Sequence, residues 1–230
     1  MKKIAIISDI HGNLPALDAV LLDIKSRGIS KIYCLGDLVG YYCFFNEVVQ
    51  KINELNIPTV LGNHDDALIN HLGVIERSKT CTRILKWQLE KADESTLSFL
   101  KSLPTHLEVR HVDRLIKIIH AGLHDNVDEY LFDANDQYFE ENQFQEDILI
   151  SGHTHLPSYK KFHSGKAWIN PGSVGQPRDG DNKASYVIID EEFNPHFIRV
   201  PYNYDLVIDA MKSNGFDDYI SVGLKTGKKI

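Results

Sequence analysis

Lys3-Ile4-Ala5-Ile6-Ile7-Ser8-Asp9-Ile10-His11 opens the chain with an apolar run that ends on Asp and His. Lys3 to Ser8 reads as a buried strand. Leu14 to Arg27 then reads as an amphipathic helix, with Leu17, Leu21 and Ile24 on one face and Gly28 ending it. Lys31 to Leu35 is a second strand, Asn46 to Leu55 a second helix with Asn46 as its N-cap, and Pro58 to Leu61 a third strand. A β-α-β-α-β opening implies a parallel sheet with right-handed crossovers. Ligands of such sheets sit beyond the carboxyl ends of the strands. Asp9, Asp37 and Asn63 fall at those ends, so the topology alone predicts where a site should form.

Further along, residues 66 to 103 have a helical pattern that Pro104 stops. They emerge directly after Gly62-Asn63-His64-Asp65, and we expect a helical cap beside the site, not an independent domain. His106 to Arg110 and Leu115 to Ile119 read as a strand pair turning at Asp113. Further strands are expected at 147–150, 158–162, 167–170, 185–190 and 197–200. This half should form a more antiparallel sheet packed on the first. Residues 1–200 then make one domain. Residues 201–230 add two short helices, 205–212 and 216–224, with a frayed end.

The chain has 230 residues, 43% of them hydrophobic, enough for a large core in one α/β unit. A net charge of −7 argues against a duplex nucleic acid partner. It does not oppose a small phosphorylated substrate, because bound metals reverse the local field. The three cysteines, Cys34, Cys43 and Cys81, form no Cys-x-x-Cys pattern. With no stretch long enough for a signal core or a membrane span, a reducing cytoplasm is the expected location.

Five short clusters of Asp, Asn and His are spread along the chain: Asp9-Ile10-His11, Gly36-Asp37, Gly62-Asn63-His64-Asp65, His120 and Gly152-His153-Thr154-His155. Carboxylate, amide and imidazole donors without thiolate suit Mn, Fe or Zn. Asp9, His11, Asp37, Asn63, His120, His153 and His155 are too many for one ion and suit two sharing a carboxylate. Two divalent ions about 3.5–4 Å apart clamp a phosphoryl group and its attacking oxygen. Water between them is acidified towards neutral pH, which supplies a hydroxide nucleophile without a protein side chain. The leaving oxygen still needs a proton. His64 is placed to give it, and Asp65 to orient the imidazole.

These residues resemble the pattern of the calcineurin-like metallophosphoesterases: Asp-x-His, Gly-Asp, Gly-Asn-His-Asp/Glu, a lone His and Gly-His-x-His. All five blocks stand in order over about residues 1 to 200. The resemblance implies an α/β fold, a four-layer αββα sandwich of two mixed sheets flanked by helices, with the site at one edge. It implies that Asp9, His11 and His155 hold one metal and Asn63, His120 and His153 the other, with Asp37 bridging. His64 would be proton donor and transition-state stabiliser. The metals would be drawn from Mn, Fe, Zn and Ni.

Within the superfamily the chain looks most like small bacterial phosphoesterases carrying Gly-Asp-Leu-Val-Gly-Tyr and Asn-Pro-Gly-Ser, present here as Gly36 to Tyr41 and Asn170 to Ser173. It lacks the Gly-Asp-x-Val-Asp-Arg-Gly of protein phosphatases. Tyr42-Cys43-Phe44-Phe45 also depart from the usual Gly-Tyr-Gly-Pro continuation. We expect Phe44 and Phe45 to be structural, and Tyr41 or Tyr42 to be exposed at the pocket mouth. Tyr42, His124 and Arg178 are the candidate substrate contacts; His71, His106, His111, His163 and His196 read as ordinary surface or core residues. The leading reading is a phosphodiesterase on small or nucleotide substrates, with no membrane partner and homo-oligomerisation open. An asymmetric dinucleoside tetraphosphate hydrolase and a non-catalytic scaffold of the same fold are the alternatives. The scaffold reading is opposed by His64, because the retromer subunit with this fold lacks the donor histidine.

Overall fold

A computed structural model of the chain describes residues 3–70, 79–216 and 219–228. The elements in chain order are β1 (Ile4–Ile7), α1 (Leu14–Ser26), β2 (Lys31–Cys34), α2 (Phe45–Glu54), α3 (Asn63–Ile69), α4 (Lys79–Lys91), α5 (Glu94–Lys101), β3 (His106–His111), β4 (Arg114–Ile119), α6 (Asp136–Glu141), β5 (Ile148–Ile150), β6 (Ser158–Lys161), β7 (Ala167–Asn170), β8 (Ala184–Ile189), β9 (Pro195–Val200), α7 (Asp205–Ser213) and α8 (Tyr219–Thr226).

The alternation of side chains along β1 divides the core. Ala5 and Ile7 face α1 and α2 and pack with Leu17, Val20, Val48 and Ile52. Ile4 and Ile6 face the other way and meet Ile116, Ile118, Ile148, Ile150 and Ile169 of a second sheet. β1 is therefore buried on both faces, which is why it reads as a continuous apolar run. One sheet runs β2-β1-β8-β9 and the other β3-β4-β5-β7-β6. The outer face of the second sheet places Ile119, Leu149 and Trp168 against Phe139 of α6. The result is two mixed sheets face to face, with helices outside, as expected for an αββα sandwich.

The second half of the chain does not simply make a second, antiparallel sheet. β4, β5 and β7 pair in parallel, with antiparallel strands only at the edges. β8 and β9 return to the first sheet, β8 pairing antiparallel to β1. All six residues of β8 are buried, as suits a strand inserted beside β1 with cover on both faces. Pro58 to Leu61 joins β2 by a single parallel bridge, Cys34 to Thr59, and is not a full strand. α2 begins at Phe45, so Asn46 is not its N-cap. Its side chain instead donates to Lys91 O and accepts from Asp93 N, tying α2 to the turn before α5. Residues 66–103 hold the end of α3 and all of α4 and α5; residues 71–78, including His71, lie outside those described.

Candidate metal centre

Turns at the carboxyl ends of β1 and β2 and after β4 and β5, together with the start of α3, bring the five clusters together. Backbone bonds zip the first two turns: Asp9 N–H to Gly36 O at 3.1 Å, His11 N–H to Asp37 O at 2.8 Å and Gly12 N–H to Leu38 O at 2.8 Å. Gly152 N–H to His120 O, 2.7 Å, joins the other two. Asp9, His11, Asp37, His153 and His155 all have φ between 53° and 64°. They are half of the ten non-glycine residues with positive φ among those described. Left-handed backbone is costly for such residues and concentrates where surrounding structure enforces a functional geometry.

The histidine rings are fixed by carbonyls. His11 Nδ1 donates to Val39 O (2.9 Å), His120 Nδ1 to Leu35 O (2.7 Å) and His155 Nδ1 to Gln176 O (2.6 Å). A carbonyl only accepts, so each Nδ1 carries a proton; His11 and His155, neutral through burial, turn a bare Nε2 inward, and His120 Nε2, held protonated by Asp37 in the metal-free chain, would give up its proton to a cation. His11 Nε2 and His155 Nε2 are then 3.1 Å apart, and Asp9 Oδ1 is 3.2 Å from His155 Nε2. Asp9 Oδ1 is buried without a hydrogen-bond partner. Asp37 Oδ2 lies 3.5 Å from His11 Nε2 and 3.4 Å from His120 Nε2. Asn63 Oδ1 lies 3.2 Å from His120 Nε2.

Lone pairs packed this closely repel unless a cation lies among them. The donors form two groups, Asp9–His11–Asp37–His155 and Asp37–His120–His153, with Asp37 common to both. Their hard and borderline donors fit two divalent ions. Burial disfavours a charged His120, yet the facing Asp37 lifts its pKa to about 10. Burial likewise opposes an ionised Asp9, and His155 more than offsets it.

His64 opens α3 beside these groups, its ring 4.7 Å from that of His11. Its Nδ1 is 3.7 Å from Cys81 Sγ of α4. Burial, opposed by Asp37 and aided by Arg178, lowers its pKa to about 4. Gly40 leaves room for this ring: a Cβ there would stand 2.4 Å from His64 Nδ1. Gly62 does the same for Asp37, whose Oδ1 would meet a Cβ at 2.2 Å.

Asp65 does not orient His64. Its Oδ1 accepts the N–H groups of Leu38 and Val39 and its Oδ2 those of Asp37 and Gly62, at 2.8–3.1 Å. All its acceptor sites face the Asp37 turn and its neighbour, which leaves none for an imidazole. Asp65 thus holds the turn that presents Asp37. Asp65→Ala would strand four buried donors and should lower unfolding free energy by about 3–5 kcal/mol in a denaturant titration. A change under about 1 kcal/mol would contradict this role.

Tyr42 is also placed differently from expectation. It is fully buried with Ile84, Val207 and Met211, so it offers no face to a substrate. Gln88 of α4 pins the turn that buries it, accepting from Gly40 N–H and donating to Tyr42 O. Tyr41 is half-buried, with its ring 4.7 Å from His11. Arg178 donates to Tyr41 Oη at 3.2 Å and to Gln176 Oε1, close enough to the centre to depress His64 and His155. His124 is exposed and packs edge-on against Tyr138. The backbone N–H groups of His124 and Asp125 donate to Glu129 Oε2. Asn170-Pro171-Gly172-Ser173 braces two of the turns: Ser173 Oγ donates to Asp9 O and Asn170 Nδ2 to Gly152 O, both 2.7 Å.

Sequence reasoning missed Asp128 and Tyr130. Asp128 Oδ1 lies 3.5 Å from His153 Nε2, a buried nitrogen with no hydrogen-bond partner among the described residues. The Tyr130 ring lies 4.1 Å from that of His153. Asp125-Asn126-Val127-Asp128-Glu129 reads as a solvated turn, and no spacing singles out its members.

With this geometry in view, the similarity to known proteins is specific. The profile of the calcineurin-like phosphoesterase superfamily domain matches residues 1–193. An uncharacterized protein of Methanocaldococcus jannaschii is 39% identical over 98% of each chain. The crystal structure of a metallophosphoesterase from Sphaerobacter thermophilus is 31% identical, covers 98% of each chain and superposes with a TM-score of 0.83. Phosphodiesterase YfcE of Escherichia coli is 28% identical over 84% of this chain and 89% of its own.

Proposed function

We propose that this chain, which belongs to the calcineurin-like phosphoesterase superfamily, is a two-metal phosphodiesterase acting on small or nucleotide substrates. The observation that carries the reading is Asp37, whose Oδ2 stands between His11 and His120 and is common to both donor groups. The name of the Escherichia coli relative supports the choice of a diester.

In this reading Asp9, His11 and His155 would hold one ion and Asn63, His120 and His153 the other, with Asp37 shared between them. When bound, such ions polarise phosphoryl oxygens and acidify water. Mn is the metal we would supply first, because hard carboxylate and amide oxygens make up part of each donor set. The protein's own contribution is positional. The three Nδ1–carbonyl bonds hold the rings in one tautomer, and Asp65 holds the Asp37 turn. His64, its ring 4.7 Å from that of His11, would give a proton to the leaving oxygen, and Arg178, beside Tyr41, would meet a phosphate oxygen. Among the described residues, the end of α3 with α4 and α5 would act as a cap that restricts substrate size, while Gln88 of α4 braces the Gly40 turn.

With its proton on Nε2, His153 would face Asp128 Oδ1, 3.5 Å away, which would orient the ring for a metal at Nδ1. Asp128→Ala should weaken one of two Mn²⁺ binding events by about 10–100-fold in calorimetry and leave the other unchanged. Two unaltered binding events would remove Asp128 from the site. The function itself is tested by a screen in Mn²⁺ against phosphate mono-, di- and polyphosphate esters. We expect the highest kcat/KM on a diester. Hydrolysis of monoesters alone, or of dinucleoside tetraphosphates in strong preference, would replace the diester reading.

A further inference from the structure

The loop from Gly122 to Ala134 carries two aromatic rings that no step above uses. Tyr130 is 41% exposed and Phe132 is 64% exposed. Their rings are stacked, nearly parallel at 5° with centroids 5.6 Å apart. Tyr130 in turn lies 4.1 Å from the ring of His153. The three rings therefore form a series from a residue of the metal centre outward to solvent. Other exposed apolar side chains, such as Leu22, Leu55 and Phe197, have no ring contact with the site histidines.

The loop is built to hold this series in place. Glu129, between Asp128 and Tyr130, accepts the N–H groups of His124 and Asp125 and the hydroxyl of Tyr138. Backbone bonds close its base, Ala121 N–H to Asn126 O and Gly122 N–H to Asp125 O. A protein that exposes a large flat ring on a braced loop gives up hydrophobic burial of that ring, and a planar partner can restore it.

Resting on the phosphodiesterase reading, we propose that Tyr130 and Phe132 form a stacking subsite for a planar aromatic group carried by an alcohol that is esterified to the phosphate, foremost a nucleobase on its ribose. It replaces Tyr42, whose burial removes it from that role. A base on Phe132 gains a π-face and loses only water. Base stacking on protein rings tolerates different bases, so the subsite selects for an aromatic substituent without selecting one sequence or base.

Two probes separate the ring from the phosphate: AMP and methyl phosphate, titrated by calorimetry into Mn²⁺-loaded protein. The wild type should bind AMP more tightly than methyl phosphate. Phe132→Ala should weaken AMP about tenfold and methyl phosphate less than twofold. Tyr130→Leu, which keeps bulk beside His153 but removes the ring, should behave in the same way. Melting temperature of Phe132→Ala should hold, since the ring is mostly exposed. Equal affinity of the wild type for both probes would overturn the subsite while leaving a phosphate site intact. If neither probe binds protein that demonstrably holds metal, the phosphoesterase reading and the subsite fall together. Equal weakening of both probes in both variants would assign the rings to structure.

Discussion

Asp37→Ala is expected to abolish retention of both metals and, with them, measurable turnover. The expectation follows from one oxygen: Asp37 Oδ2 is 3.5 Å from His11 Nε2 and 3.4 Å from His120 Nε2. Two like-charged ions held close together need a shared anion, and Asp37 is the carboxylate common to both donor groups. Removing Asp9 or His153 instead should strip one ion and weaken the other less. Metal analysis of the purified variants checks this. An Asp37→Ala protein that keeps both ions would break the bridging assignment, whatever its activity.

His64→Ala should lower turnover of an unactivated alkyl diester about 10²–10⁴-fold, the range for loss of a general acid. Metal content should stay constant, because no donor group includes this ring. Burial holds the free imidazole neutral at pH 7, so a protonated ring would have to be drawn in by the incoming phosphate anion. A p-nitrophenyl diester needs little protonation of its leaving group, and its loss should be smaller. Equal losses on both esters would leave His64 as a hydrogen-bond donor to the transition state and remove its acid role.

Much of this site was legible because its chemistry lies in short blocks at strand ends. Asp9 and His11 follow an apolar run too regular to mistake, and His153 and His155 follow another, Ile148-Leu149-Ile150. What periodicity could not reveal was which sheet a strand joins. β8 looked like part of a second unit, yet its six buried residues pair with β1, about 180 residues earlier, and that pairing is a long-range fact of topology. Asp65 and Tyr42 were misread for a related reason. A carboxylate next to a histidine suggests an orienting partner, but the local backbone offered four N–H donors and claimed it. A tyrosine near a site suggests a rim, but α4 and α7 supplied apolar neighbours that closed over it. Tyr130, Phe132 and Asp128 carried no pattern at all. Their placement depends on a loop folded by Glu129, whose bonds cannot be read from spacing.

The reading as a whole depends on a binuclear centre. Elemental analysis of protein purified without chelator and reconstituted with Mn²⁺ tests it most directly, with anomalous scattering to locate the ions. We expect two transition-metal ions per chain, one among Asp9, His11 and His155, one among Asn63, His120 and His153, and Asp37 in contact with each. A single ion at saturation, or two ions that do not share Asp37, would contradict it.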